Sequence, residues 1–445
     1  MARVALIGTN SIGYIHTLIN IWNSGHCVVM IDYQTPFYAA IQMMKEADVQ
    51  TCYLQEDLWS ECISAYTEIE FVRYSSDSKL TFVLPKFLYD EFHPNYSHHE
   101  AVIIYSSGTT GKSKGIILSH FAINTNADAI IDYMNPLAQT DCIYTVRLLS
   151  HSSTLTGELL VALKSHAKMV IAASAVPPRL ILSSVKKYGV TILCVNPTLL
   201  SFLCDEAKRN FYDISCLRKI YVSGAILNDA IYEKAKNALA GTLIFNVYGL
   251  SEAAPRVTAQ TLDCCKSNSV GKPIKGVEIV VTSENGEVVP DGERGIIHVK
   301  TPSMFSGYVR GSEKHTSLYH CWLNTGDIGF WDKFGELHVV GRADDVIICD
   351  AHKIYPSDVE NLILEDSSIF DCVVSQCTVN DMETIGCMYV SNRECTTEII
   401  HRIKDRLAKY EIPKRYLRTE VIPHNNRGKV DRKAAADILS GKKGQ

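Results

Sequence analysis

Three uninterrupted apolar runs, Val4-Ala5-Leu6-Ile7, Cys27-Val28-Val29-Met30-Ile31 and Ala101-Val102-Ile103-Ile104, constrain this chain more than any other feature. Each is too short for a helix and lacks the alternation of a strand with one wet face. Such runs read as strands buried on both sides, which requires a largely parallel sheet covered by helices. Between the second and third runs, Phe37, Ile41 and Met44 recur at the spacing of one buried helix face. Similar strand-helix units run from residue 101 to 250, so the fold class is α/β. From 270 to 340 the texture changes to short strands, such as Gly295-Ile296-Ile297-His298-Val299, separated by Gly, Pro and Asp turns, which predicts a β-rich subdomain. After Gly341-Arg342 a smaller α+β unit begins, in which Ile400, Ile403 and Leu407 mark an amphipathic helix. A chain of 445 residues exceeds one ordinary core, and the expected division is a large domain over 1–341 and a small one over 342–445.

Several functional classes are disfavoured. No apolar run approaches a bilayer span, and Met1–Ser11 reads as a first strand rather than a signal peptide, so a cytoplasmic protein is expected. The 15 cysteines are scattered, with one adjacent pair, Cys264-Cys265, and no CxxC; they read as reduced core thiols. His93 with Ser97-His98-His99-Glu100 is the densest histidine group, but without a second cluster at ligand spacing it reads as a solvated turn. A net charge of -5 gives no reason to expect nucleic acid. The charge is uneven, however: residues 401–445 hold 13 Lys and Arg against 5 Asp and Glu, a basic surface suited to phosphates or an acidic partner. Gly8 and Gly13 beside the first strand, with Asp32 ending the second, faintly suggest a dinucleotide site, but Asn10 stands where that motif needs its middle glycine.

The strongest local signal follows the third apolar run: Tyr105-Ser106-Ser107-Gly108-Thr109-Thr110-Gly111-Lys112-Ser113-Lys114-Gly115. Glycines let backbone approach oxyanions, hydroxyls and amides donate, and lysines neutralise charge, a composition suited to polyphosphate. The spacing is not that of a Walker A loop, because only two residues separate Gly108 from Gly111.

This segment closely resembles the signature loop of the adenylate-forming superfamily, which includes acyl- and aryl-CoA synthetases, stand-alone adenylation domains and luciferase. Further motifs occur in the family's order. Asn246-Val247-Tyr248-Gly249-Leu250-Ser251-Glu252 is similar to the second ATP motif, with Tyr248 near adenine and Glu252 holding magnesium. Trp322-Leu323-Asn324-Thr325-Gly326-Asp327 resembles the ribose-binding motif, and Gly341-Arg342-Ala343-Asp344-Asp345 the hinge motif, with Arg342 near ATP and Asp344 as pivot. Asn426-Arg427-Gly428-Lys429-Val430-Asp431-Arg432 resembles the catalytic-lysine loop, in which Lys429 binds the carboxylate and α-phosphate in the transition state. The resemblance spans residues 101 to 433 and implies a small C-terminal domain that rotates between half-reactions.

The implied activity is ATP- and Mg2+-dependent conversion of a carboxylic acid to acyl-AMP, followed by transfer to coenzyme A. The alternative acceptor is the phosphopantetheine of a carrier protein supplied in trans. A phosphate-loop kinase or NTPase, which would release ADP, and a non-catalytic nucleotide binder rank below these. Leu148-Leu149-Ser150-His151-Ser152-Ser153 resembles the segment carrying a pocket-gating His, and Ser223-Gly224-Ala225 the segment lining the carboxylate. No acidic residue lies in 148–157 to balance an α-ammonium, so an aryl or fatty acid is favoured over an amino acid. Two departures matter. Relatives have a longer portion before the first strand, implying a shortened first subdomain with surface available to a partner. Ala351 stands where glycine commonly borders the thiol tunnel, with Lys353 two residues on.

Overall fold

The computed structural model describes residues 1–58, 63, 67–76, 79–107, 113–134, 137, 140–174, 176–263, 268–309, 318–319, 321–349, 352–366, 368–379, 382–424 and 430–441. They form two compact units. The first comprises Met1–Gly224, Lys234–Val280 and His298–Thr325, and the second Ala225–Glu233, Val281–Ile297 and Gly326–Gln445.

The first unit is built on two sheets. In one, β1 (Arg3–Gly8), β2 (Cys27–Asp32), β3 (Thr51–Gln55), β4 (Glu70–Tyr74) and β5 (Glu100–Ser107) are parallel, and β6 (Ser113–Ser119) returns antiparallel to β5. The strand order is Gly307–Tyr308, β6, β5, β2, β1, β3, β4. Val4 to Ile7 and Val28 to Ile31 are buried, as their unbroken apolarity predicts. Helix α1 (Ile12–Asn23) is capped by Ser11, whose side chain accepts from the Tyr14 amide. Helix α2 (Phe37–Glu46) buries Ile41 and Met44, with Phe37 packed at the rim.

The second sheet contains β7 (Cys142–Thr145), β8 (Lys168–Ala172), β9 (Ile192–Val195), β10 (Lys219–Val222), β11 (Leu243–Gly249) and β12 (Arg256–Ala259). Its order is Lys272–Pro273, β12, β11, β10, β9, β7, β8, Thr81–Val83, with β7 to β11 parallel. Helix α3 (His120–Tyr133) contributes Ile123, Ala127 and Ile130 to a core shared with α1 and both sheets. From 270 to 342 the chain forms short strands, including Glu278–Thr282, Gly295–Lys300 and Trp322–Trp331, in keeping with its turn-rich sequence.

In the second unit, β13 (Leu337–Arg342) pairs with residues 327–331, and β14 (Ile347–Cys349) forms a hairpin with β15 (His352–Ile354). A three-stranded sheet of β16 (Ile369–Val379), β17 (Met382–Ser391) and β18 (Arg415–Thr419) is packed by α4 (Pro356–Leu364), α5 (Thr396–Ile403) and α6 (Arg432–Leu439). Ile403 of the expected amphipathic helix is fully buried, whereas Ile400 is 38% exposed.

The twelve described cysteines are free. Among the described residues, no helix is long and apolar enough to cross a membrane, and no group of three or more His, Cys, Asp or Glu is arranged to hold a metal.

The faint dinucleotide signal has another cause. A Cβ at Gly8 would lie 1.8 Å from the Tyr74 hydroxyl, and one at Gly13 2.2 Å from the Ser75 carbonyl oxygen. These glycines admit neighbouring protein. Tyr74 uses the space to donate to the Ile7 carbonyl at 3.0 Å. Asn10 is a clasp between the sheets: Nδ2 donates to the carbonyls of Arg147 and Ala172, both at 2.9 Å, and Oδ1 accepts from the Leu149 amide at 2.9 Å.

Because Asn10 is 2% exposed, removing its amide strands three backbone groups away from water. Asn10→Ala is expected to lower unfolding stability by about 3 kcal/mol in denaturant titration. A loss within about 0.5 kcal/mol, the scale of a neutral surface change, would show that the clasp carries no load.

Candidate active site

The two ends of the glycine-rich segment lie on β5 and β6, which pair antiparallel. Ser106 pairs with Lys114 and Ser107 with Ser113, so the two ends of the segment are held side by side. Gly108, Thr109, Thr110, Gly111 and Lys112 lie outside the described residues, as do Ala351 and Lys429. Lys114 places Nζ 5.7 Å from the centre of the Tyr308 ring, a cation–π contact. Tyr308 lies on the short strand that pairs with β6 at Ile116.

The second motif occupies the end of β11 and the turn beyond it. Gly249 faces Arg256 across β11 and β12, and a Cβ there would meet the Pro255 carbonyl oxygen at 1.9 Å, so only glycine fits. Asn246 is buried; its Nδ2 donates to the Ser269 carbonyl at 3.0 Å, and its amide N donates to Gln260 Oε1 at 2.7 Å. Its side-chain donor is thus committed to the wall of the site. Tyr248 is half-buried at the strand end. Ser251 opens a single 3-10 turn (Ser251–Ala253), with its hydroxyl 2.8 Å from that of Ser152. Glu252 accepts at Oε1 from the Tyr308 hydroxyl at 2.9 Å, and its carbonyl accepts from the Phe305 amide at 2.8 Å.

Three separately predicted segments therefore meet in the first unit. Tyr308 joins Lys114 on β6 to Glu252, and the Ser251–Ser152 contact joins the second motif to the segment that carries His151. Tyr308 itself was not among the predicted site residues. It lies 56 residues beyond Glu252, and no local pattern distinguishes it from a packing tyrosine.

His151 precedes a short helix, Ser152–Thr154, whose amides at Thr154 and Leu155 bond back to its carbonyl. The chain continues as a π-helical stretch over Leu155–Leu160, a geometry often found at functional sites. Ser223 is buried at the end of β10, followed by Gly224 at φ +96°, a conformation that favours glycine, and by exposed Ala225. Arg147 donates from Nη1 to Ser223 Oγ at 3.3 Å and from Nη2 to Glu158 Oε1 at 2.9 Å. Burial pushes the Glu158 carboxyl up, while Arg147 and then Arg256 pull it back. Glu158 lies one residue beyond the stretch 148–157, which holds no acidic residue. The available signal was a charge embedded in the apolar run Leu159-Leu160-Val161-Ala162-Leu163 that follows it.

In the second unit, Asp327 and Arg342 are register partners, and Arg342 donates from Nη1 to Asp327 Oδ1 at 3.0 Å. Arg342 Nη2 lies 4.0 Å from Asp344 Oδ2, within the 3-10 turn Ala343–Asp345. Lys353 donates to Glu284 Oε1 at 2.6 Å in an exposed ion pair. The residues flanking the Lys429 segment close on each other: the Asp431 amide donates to the Pro423 carbonyl at 2.8 Å, and His424 bridges Val430. Arg432 then anchors this foot with a fork to Glu360, at 2.5 and 3.0 Å, and lies 3.4 Å from Asp345.

Residues 1–309 match the family described as AMP-binding enzyme. Among curated proteins, a 2-succinylbenzoate–CoA ligase from Bacillus cereus (strain Q1) is 26% identical over 444 residues, covering 98% of this chain and 88% of its own. The 2-succinylbenzoate–CoA ligase of Bacillus mycoides (strain KBAB4) is 29% identical over 360 residues, covering 79% of this chain and 72% of its own. ATP-bound MatB from Rhodopseudomonas palustris superposes with a TM-score of 0.86 at 22% identity, covering 99% of this chain and 89% of its own. The o-succinylbenzoate CoA synthetase (MenE) of Bacillus subtilis, in complex with the acyl-adenylate intermediate OSB-AMP, gives 0.84 at 22%, covering 98% and 88%. At these identities the structural likeness establishes the fold.

Tyr308→Phe keeps the ring beneath Lys114 and removes the hydrogen bond to Glu252. A bond to a charged group is worth about 1.5 kcal/mol, so the Michaelis constant for MgATP is expected to rise roughly tenfold in steady-state kinetics. An unchanged constant would remove Tyr308 from the organisation of the site.

Proposed function

Because the chain belongs to the AMP-binding enzyme family, we propose that it activates a carboxylic acid with ATP to an acyl-AMP, releases pyrophosphate, and passes the acyl group to the thiol of coenzyme A. The observation that carries this reading is the junction in the first unit. A polyphosphate-type hairpin, a carboxylate and a pocket segment are linked through Lys114, Tyr308, Glu252, Ser251 and Ser152.

The proposed roles follow from the chemistry of each group. Gly108 to Lys112, with Ser106, Ser107 and Lys114, cradle the phosphates by backbone amides, hydroxyls and charge. Tyr248 and Gly249 border the adenine. Glu252 suits magnesium, because that ion takes one or two carboxylates and fills its remaining positions with water and substrate phosphate. When bound, the ion neutralises polyphosphate charge. Asp327 accepts from the ribose hydroxyls, with Arg342 fixed beside it. Lys429 holds the attacking carboxylate oxygen against the α-phosphorus, where an ammonium stabilises developing charge without being consumed. His151, Ser152, Ser223, Gly224 and Ala225 shape the acid pocket. The parts that move are read as 1–341 and 342–445 with Asp344 as pivot, which brings Ala351 and Lys353 to the thiol in the second half-reaction. An aryl acid is favoured because the curated relatives carry the name of one. The free cysteines suit a cytoplasmic setting.

Carboxylate-dependent exchange of labelled pyrophosphate into ATP, run across aryl, fatty and amino acids, is expected to succeed with aryl acids and to yield AMP rather than ADP. Lys429→Ala is expected to slow this half-reaction by about 3 kcal/mol or more, the scale of losing one charge-stabilising donor, while ATP still binds. Unchanged single-turnover adenylate formation would take Lys429 out of that role. Comparing thioester formation on CoA and on holo-carrier proteins decides the acceptor.

A further inference from the structure

The turn that carries Glu252 does not hold its own shape. Between β11 and β12 the chain makes one 3-10 turn, closed by the Ala253 amide on the Leu250 carbonyl at 2.9 Å and the Ala254 amide on the Ser251 carbonyl at 3.2 Å. Two such bonds do not fix an isolated turn, because ordering its backbone costs more than they return. Ala254 then takes φ +60°, in the left-handed region that a residue with a side chain enters only at a cost. The surrounding structure must therefore impose this path.

The group that imposes it is Asn126 of α3, which is 1% exposed. Its Nδ2 donates to the Ala253 carbonyl at 3.2 Å and to the Arg256 carbonyl at 2.9 Å, and its Oδ1 accepts from the Arg256 amide at 3.0 Å. One side-chain amide thus grips the backbone on both sides of the left-handed residue. Helix α3 in turn starts where β6 ends: Ser119, the last residue of that strand, caps the helix by accepting from the Ala122 amide at 3.1 Å. Lys114 lies at the other end of β6. We propose that Asn126 is a positioning residue for the metal ligand: by fixing Ala253 and Arg256 from a helix continuous with the Lys114 strand, it sets where the Glu252 carboxylate stands for Mg2+ and ATP. The Phe305 amide holds the Glu252 carbonyl at 2.8 Å and Tyr308 holds the carboxylate at 2.9 Å, so Asn126 completes the support of this residue. Mg2+ demands near-ideal ligand directions, and a displaced carboxylate is felt chiefly as lost metal affinity.

The inference rests on the adenylation reading for the role of Glu252, and the test separates the two. The same helix supplies the control: Asn124 is 2% exposed, and its Nδ2 donates to the carbonyls of Asn95 at 2.8 Å and His120 at 3.0 Å instead of to the turn. Calorimetric titration of ATP, once with Mg2+ and once with EDTA, reads the metal's contribution without turnover. The unmodified chain is expected to bind ATP more tightly with Mg2+, and Asn126→Ala to weaken binding in Mg2+ roughly tenfold, the scale of losing a group that orients a metal ligand, while binding in EDTA stays within about twofold. Asn124→Ala is expected to lower the melting temperature comparably and to keep the full Mg2+ preference. If Asn126→Ala does not fold, Asn126→Ser, which retains a polar group in less space, is read in its place, with part of the preference lost. An Asn126 variant that melts lower yet keeps the full preference would overturn the inference, as would an unmodified chain with no Mg2+ preference. Pyrophosphate exchange by the unmodified chain would leave adenylation standing in either case. Its absence would count against adenylation, and the titrations would still decide Asn126.

Discussion

Asn10 bonds at once to the carbonyls of Arg147 and Ala172 and to the amide of Leu149, and the geometry of the first unit depends on these three contacts. They fix the loop after the first strand of one sheet to the ends of two strands in the other. The segment so held runs directly into Arg147, His151 and Ser152. The segment is thus positioned by a buried amide as well as by the packing of Leu149 and Leu155 in the core. Close packing of the surrounding core makes that position discrete, because buried side chains have few alternative arrangements.

From this fixed point the remaining parts are connected by polar contacts between distant stretches of chain. Ser152 meets Ser251, Glu252 meets Tyr308, and the ring of Tyr308 lies under Lys114. The Ser152–Ser251 contact joins the second motif to the segment that carries His151, and Tyr308 joins Glu252 to Lys114. Preorganisation of this kind lets electrostatic stabilisation act without reorientation during reaction. The second unit repeats the pattern on a smaller scale. Arg342 is fixed by Asp327, and Arg432 is held by Glu360 and lies beside Asp345, so an ion pair ties the start of the last helix to the 3-10 turn Ala343–Asp345.

The sequence made the architecture legible wherever burial leaves a one-dimensional trace. Unbroken apolar runs marked β1, β2 and β5, and the Phe37, Ile41, Met44 spacing marked α2. The motif segments were legible because glycine, hydroxyl and lysine in one short stretch point to few chemistries. What was missed is long-range. Tyr308, Asn10 and Arg432 act through partners dozens of residues away, and a tyrosine, asparagine or arginine alone does not disclose its partner. Gly8 and Gly13 were legible as glycines that something must approach closely, yet the approaching groups are Tyr74 and Ser75 rather than a pyrophosphate. Glu158 was within reach of the same reading: an ionisable residue opening a buried apolar stretch requires a counter-charge, and Arg147 supplies it.

The central claim is that a carboxylate oxygen attacks the α-phosphorus of ATP. The most direct measurement supplies the acid with both carboxylate oxygens replaced by 18O and follows the label by mass spectrometry after thioester formation. Attack at the α-phosphorus followed by thiol displacement leaves one heavy oxygen in AMP and none in pyrophosphate, and that is the predicted result. Label appearing in inorganic phosphate with release of ADP would place the attack at the γ-phosphorus and contradict the account.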